Sequence, residues 1–217
     1  MKKTTIEFLH LLKENNNREW FQKNKTLYEE AKHDFEHLVD TLIPQIQAFD
    51  PRIVNLTAKQ TTFRIYRDIR FSKDKSPYKI NFGSYMAPGG RKSIYSGYYL
   101  HIGPGDSMLA GGAYRPQPEQ LKKIRSEIFY NIKEFKSIVN NQGFIKTFGK
   151  IQGDQLIRPP KDFPADFEGI DYLKHKDFTV MHQFDEEILL HKDFVAYAID
   201  VFKKMLPLNE FLNRALD

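Results

Sequence analysis

Near Thr61 the hydrophobic pattern changes its period, and this limits the folds open to the chain more than any other feature. Before it, Leu27, Ala31, Phe35, Leu38, Leu42 and Ile46 recur at steps of three and four, the buried stripe of a helix over about 26–49. After it the period is two. Phe63, Ile65, Ile69 and Phe71 alternate with Arg64, Tyr66, Asp68 and Arg70, as on a strand with one buried face. Strand signals recur over 80–87, 94–102 and 107–114, separated by Pro88-Gly89-Gly90 and by Gly103-Pro104-Gly105-Asp106. Connections this short suit hairpins, whereas parallel strands need crossovers of a dozen residues or more. An antiparallel meander over 61–114 follows.

Helical signals surround the meander. Thr4 and Glu7 have capping-box spacing and open a helix through Phe8, Leu9, Leu11 and Leu12. Pro44 is expected to kink or restart the helix over 26–49. Beyond Pro116 and Pro118, Leu121, Ile124, Ile128, Ile132, Phe135 and Val139 mark one long helix over 118–140. A further strand over 178–184 leads through Asp185 as N-cap into helices that reach the C-terminus. The expectation is an α+β fold, a central antiparallel meander sheet flanked by N-terminal, middle and C-terminal helices. At 217 residues and 41% hydrophobic content, one domain over 1–217 with one core accounts for the whole chain. Cysteine is absent, which excludes disulfides, thiol nucleophiles and thiolate metal sites. The opening MKKTTIEFLHLLKENNN is too polar for a signal peptide or a membrane span, so no membrane partner and a cytoplasmic location are expected.

Charge is concentrated rather than spread. The stretch FRIYRDIRFSKDKSPYK (63–79) holds six cations against Asp68 and Asp74. From Lys59 to Lys92 the segment carries +7, although the whole chain carries only +5. Local basicity of this kind points to one face or pocket. Alternation places Arg67 in the apolar row, where a guanidinium needs a carboxylate, water or a bound anion. The anion-binding candidates are Arg64, Arg67, Arg70, Lys73, Lys75, Tyr78, Lys79 and Arg115, because guanidinium groups match phosphate and carboxylate oxygens two at a time. A solvated hairpin with structural ion pairs is the plainer account of the same residues.

Candidate catalytic groups are few: His101, mid-strand beside Tyr95, Gly97 and Tyr99, and Asp68 among the arginines. His33 and His37 are spaced by four but lie opposite the buried stripe, so they read as a surface pair and no metal site is expected. The sheet glycines are not a phosphate loop, since no Gly-Lys-Ser/Thr follows them. Gly97, Gly111 and Gly112 instead suggest bulges or close approach of another group to the backbone.

Four stretches carry a family resemblance: NNNREWFQKNKTLYEEAK (15–32), FRIYRDIRFSKDKSPYKINFG (63–83), GYYLHIGPGDSMLAGGAYRP (97–116) and GDQLIRPPKDFP (153–164). They resemble the domain of unknown function (DUF) 2461 family of conserved hypothetical proteins. The resemblance spans nearly the whole chain and implies a single domain; it implies no activity, cofactor or site residue. Three functions stay open on the residues themselves. One is a basic site for a small phosphorylated or carboxylated ligand, with or without catalysis. Another is a single-stranded nucleic-acid module in which Tyr66, Tyr78, Tyr95, Tyr98 and Tyr99 form an aromatic platform. The third is a protein-interaction scaffold without chemistry.

Overall fold

The computed structural model describes residues 1–217. Helices α1 (Lys3–Glu14), α2 (Arg18–Lys23), α3 (Lys25–Gln47) and the single turn α4 (Ala58–Thr61) precede the sheet. Strands β1 (Phe82–Met86), β2 (Gly97–Ile102) and β3 (Met108–Ala113) follow, then α5 (Pro118–Tyr130), α6 (Ile132–Val139), α7 (Gln142–Phe148) and α8 (Ile170–Leu173). Strand β4 (Phe178–Gln183), a 3-10 segment (Glu186–Leu190) and α9 (Phe194–Arg214) complete the chain. The four strands form one antiparallel sheet in the order β1-β2-β3-β4. The fold is α+β, with its antiparallel sheet flanked by helices.

Register divides the sheet into two unlike faces. Phe82, Met86, Tyr98, Leu100, Ile102, Leu109, Phe178 and Val180 point into the core, joined by Phe35 and Leu42 of α3 and Phe202 and Met205 of α9. Burying each of these larger side chains stabilises the fold by roughly 1.5–3 kcal/mol. On the other face Tyr85 pairs with Tyr99, Gly83 with His101 and His101 with Met108. Tyr85, Tyr99, His101 and Met108 are only partly buried.

Two asparagines tie α9 to the strands. Asn209 Nδ2 donates to Gly97 O (3.1 Å) and its Oδ1 accepts from Gly112 N (3.0 Å). One turn later, Asn213 donates to Ser96 O (3.1 Å) and accepts from Ser96 N (2.7 Å). The close approach expected at the sheet glycines is therefore made by the protein itself. A Cβ at Gly111 would stand 2.8 Å from Met205 Sδ, and Gly112 has φ +96° with its missing Cβ directed at Phe178 O.

Several expected elements differ. Residues 63–71 form no strand: Thr62 bridges Ser84, Phe63 N donates to Gly83 O (2.9 Å), and the chain then leaves β1 to fold on itself. Arg67 N donates to Pro77 O (3.0 Å), Lys79 N to Ile65 O (2.7 Å), and Tyr66 faces Tyr78. Side chain-to-backbone bonds compete with a ladder here, with Asp74 accepting from Ser76 N and Lys75 donating to Ile69 O. The alternation lasts to Ile69, but Phe71 is 95% exposed. The helix over 118–140 is two helices, broken at Asn131 (φ −120°, ψ 38°), whose amide bonds Glu127 instead. The Thr4–Glu7 box does not form, because α1 begins at Lys3 and Thr5 Oγ1 donates to Asp34 (2.7 Å). Pro44 lies in the last turn of α3, which continues through it to Gln47 without a restart. Leu27 is exposed, and Tyr28 takes its place in the buried stripe. Strand β2 starts at Gly97 rather than Ile94, which is exposed.

Candidate functional site

The basic stretch 63–79 is a loop clamped at its base. Asn16 Nδ2 donates to Tyr78 O (3.0 Å) and its Oδ1 accepts from Tyr78 N (3.1 Å), while the Tyr78 ring stacks on Phe21 at 3.9 Å. Tyr78 is thereby buried and serves the clamp. At the tip the charges satisfy one another. Arg70 grips Asp68 with two bonds (2.9 and 2.7 Å), which holds the Asp68 carboxyl down to about 2. Arg67 binds Asp74, Ser76 O (3.1 Å) and Ser72 Oγ (3.3 Å). Asp74 is also held down to about 2, chiefly by hydrogen bonds from Ser76 and then by Arg67. Arg67, with a side chain 25% exposed, is less open to solvent than Lys73 or Lys75.

Of the eight anion-binding candidates, Arg67, Arg70 and Lys75 are thus engaged within the loop, and Lys73 is exposed at its tip. Arg115 lies at the opposite end of β3, a six-residue strand or about 20 Å away. Its backbone N donates to Asp177 (2.6 Å) and its guanidinium lies 5.2 Å from the Tyr114 ring. Arg64 and Lys79 have no carboxylate within 4.0 Å.

Lys79 meets the less covered sheet face, and Arg64 is exposed but near enough to act on its charge. Lys79, Asn81, Gly83 and Tyr85 share parity, so the run into β1 directs Lys79 and Asn81 to the same side as Tyr99 and His101. Lys79 Nζ lies 5.3 Å from the Phe63 ring, and Phe63 meets Tyr99 edge-on at 6.3 Å. Burial, with nearby Arg64 adding to it, pushes the Lys79 ammonium below its ordinary pKa.

His101 is a largely enclosed titratable group on this face, its side chain 13% exposed. Nδ1 lies 3.2 Å from Tyr99 Oη and 3.4 Å from Asn81 Nδ2; Nε2 is buried and faces Asp106 Oδ1 at 3.4 Å, outside good hydrogen-bond geometry. Asn81 Nδ2 can only donate, which favours the tautomer with the ring proton on Nε2. Glycines make the cluster possible: a Cβ at Gly83 would stand 2.6 Å from Tyr99 Oη, and one at Gly103 would collide with Asp106. Burial keeps the imidazole below its ordinary pKa; Asp106 opposes this and Lys79 reinforces it. Asp68, the other catalytic candidate, is exposed and locked to Arg70. Asp106 and Asn81 were not anticipated from sequence. Their signals were a carboxylate in the glycine turn after His101 and a period of two running back from Tyr85.

The family model described as conserved hypothetical protein (DUF2461) matches residues 4–211, from α1 into α9. The chain belongs to the DUF2461 family. No curated protein and no solved structure matches it. The DUF2461 match takes in the basic loop, the sheet and the His101 cluster together.

Other parts of this DUF2461 chain carry less chemistry. A cleft of about 350 Å³ lined by Thr147, Gln152, Met181, His182 and Gln183 lies along β4, across the sheet from the loop, and has no cation in its lining. In a second cleft Arg214 is paired with Glu127 and Glu134, and Arg52 with Asp217. His33 and His37 are exposed, and no group of three metal-ligating side chains occurs. No helix is long and apolar enough to cross a membrane.

Proposed function

We propose that this protein binds a small phosphorylated or carboxylated compound where the base of the basic loop meets the less covered sheet face. Arg64 and Lys79 supply the charge, and Asn81 and the His101–Tyr99 pair supply hydrogen-bonding groups. One observation carries the reading: Lys79 holds a half-buried ammonium beside Arg64 with no acidic partner. A partly desolvated ammonium with a second cation nearby is costly alone and favourable beside an anion. Arg67, Arg70 and Lys75 are engaged within the loop and are not called on to hold the ligand.

The test is thermal unfolding with inorganic phosphate as the probe. A ligand that binds only the folded chain raises its stability with concentration. Phosphate should raise the unfolding temperature of the wild type and of Arg70→Met. It should do little for Lys79→Met or Arg64→Met. A phosphate response of wild-type size in both latter variants overturns the site.

The nucleic-acid platform is the second reading. Tyr66 and Phe71 are exposed beside Arg64 and Arg70, which favours it. Against it, Tyr98 and Tyr78 are buried in the core, so the five tyrosines share no surface.

A further inference from the structure

On the less covered face of the sheet, Asp106, His101 and Tyr99 stand in a row of carboxylate, imidazole and hydroxyl. Separations are 3.4 Å from Asp106 Oδ1 to Nε2 and 3.2 Å from Nδ1 to Tyr99 Oη. An oxygen within reach of a base that a third group orients is the arrangement of an activated nucleophile. In the tautomer with the ring proton on Nε2, Nδ1 accepts the phenol proton and the N–H on Nε2 faces the carboxylate. Gly83 and Gly103 leave room for the Tyr99 hydroxyl and the Asp106 carboxylate respectively. A purely apolar packing role would require neither.

We propose that Tyr99 is a base-activated nucleophile whose substrate is a small anion bearing an electrophilic acyl centre, with His101 as its base and Asp106 as the residue positioning that base. This rests on the anion site proposed above, which would seat the charged end of the substrate on Lys79 and Arg64. In the step, Tyr99 Oη forms a bond to the acyl carbon as the bond to the leaving group breaks. The phenol proton passes to His101 Nδ1 and then to the leaving group, and Asp106 steadies the imidazolium in between. Burial, with Asp106 and Tyr114 adding to it, pushes the Tyr99 phenol up to about 12. The free phenolate is thus scarce at neutral pH, and the proton must leave as the new bond forms. The polar and titratable groups around the pair are Asp106, Asn81, Lys79, Tyr114 and, across the strand from Tyr99, Tyr85.

The test uses 4-(fluorosulfonyl)benzoate on the intact protein, with peptide mapping by mass spectrometry. Attack by a phenol oxygen forms an S–O bond and expels fluoride, so the probe reports an activated tyrosine. Tyr99 should be modified ahead of the far more exposed Tyr114 and Tyr130. Because positioned general bases contribute about a hundredfold or more, His101→Gln should slow the modification at least about tenfold. Asp106→Asn, in an exposed turn where folding is not at stake, should slow it less but measurably. The neutral analogue benzenesulfonyl fluoride separates the two proposals. If both probes modify Tyr99 equally fast, the nucleophile stands and the anion site falls. If neither modifies Tyr99 faster than Tyr130, the nucleophile is overturned whatever phosphate does. It is overturned too if Tyr99 reacts but the rate is unchanged in both His101→Gln and Asp106→Asn.

Discussion

At the scale of single residues, the buried and paired titratable groups predict two separate steps on the acid side of a pH profile. Burial depresses the pKa of His101 and His175, so the unfolded chain takes up these protons more readily. Their contribution to stability is complete above the unfolded value of about 6.5 and is lost as pH falls below it. Asp68 and Asp74 are also depressed, each to about 2, so their contribution is present above about 4 and lost as pH falls toward 2. Amide exchange followed by NMR should therefore show two acid transitions. Sheet amides near His101 should weaken first, below about 6.5, and loop amides over 65–79 only below about 4. Loop opening that precedes any change at the sheet would contradict this order.

At the scale of elements, the junction of α9 with β2 and β3 depends on Asn209. Replacing it by alanine leaves Gly97 O and Gly112 N buried without that partner, at about 1–3 kcal/mol each, so chemical denaturation should show a loss of about 2–6 kcal/mol. A loss below about 1 kcal/mol would mean that the strands close without the clasp. The sheet around this junction was legible because Pro88-Gly89-Gly90 and Gly103-Pro104-Gly105-Asp106 permit little but hairpins. The clasp was not legible, since two asparagines on a helix give no sign of facing a strand more than ninety residues away. Residues 63–71 misled for a related reason. Alternation records which side chains turn inward, and Ile65 and Arg67 do; it does not record whether a neighbouring backbone supplies the ladder. The basic cluster was visible as charge, but Arg67–Asp74 and Arg70–Asp68 pairing depends on how a loop closes. The site's other half needed register: only the pairing of Gly83 with His101 brings Asn81 and Lys79 beside Tyr99.

At the scale of the whole molecule, the local surplus of +7 over 59–92 is partly spent inside the loop, so its field on a polyanion is weaker than its composition suggests. A chain tracking a nucleic-acid backbone releases roughly 0.7–0.9 counterions per phosphate contacted. If all six cations of 63–79 engaged phosphates, the log–log salt slope would reach about −4 to −5. If Arg64 and Lys79 alone hold one anion, the slope stays shallower than about −2. The deciding measurement is calorimetric titration of inorganic phosphate and of a single-stranded oligonucleotide into the wild type and Lys79→Met at two salt concentrations. Small-anion binding predicts saturable phosphate heat with shallow salt dependence, lost in Lys79→Met, and oligonucleotide binding that is weak and disappears at physiological salt. Tight oligonucleotide binding that persists at physiological salt, with no phosphate heat, would contradict it.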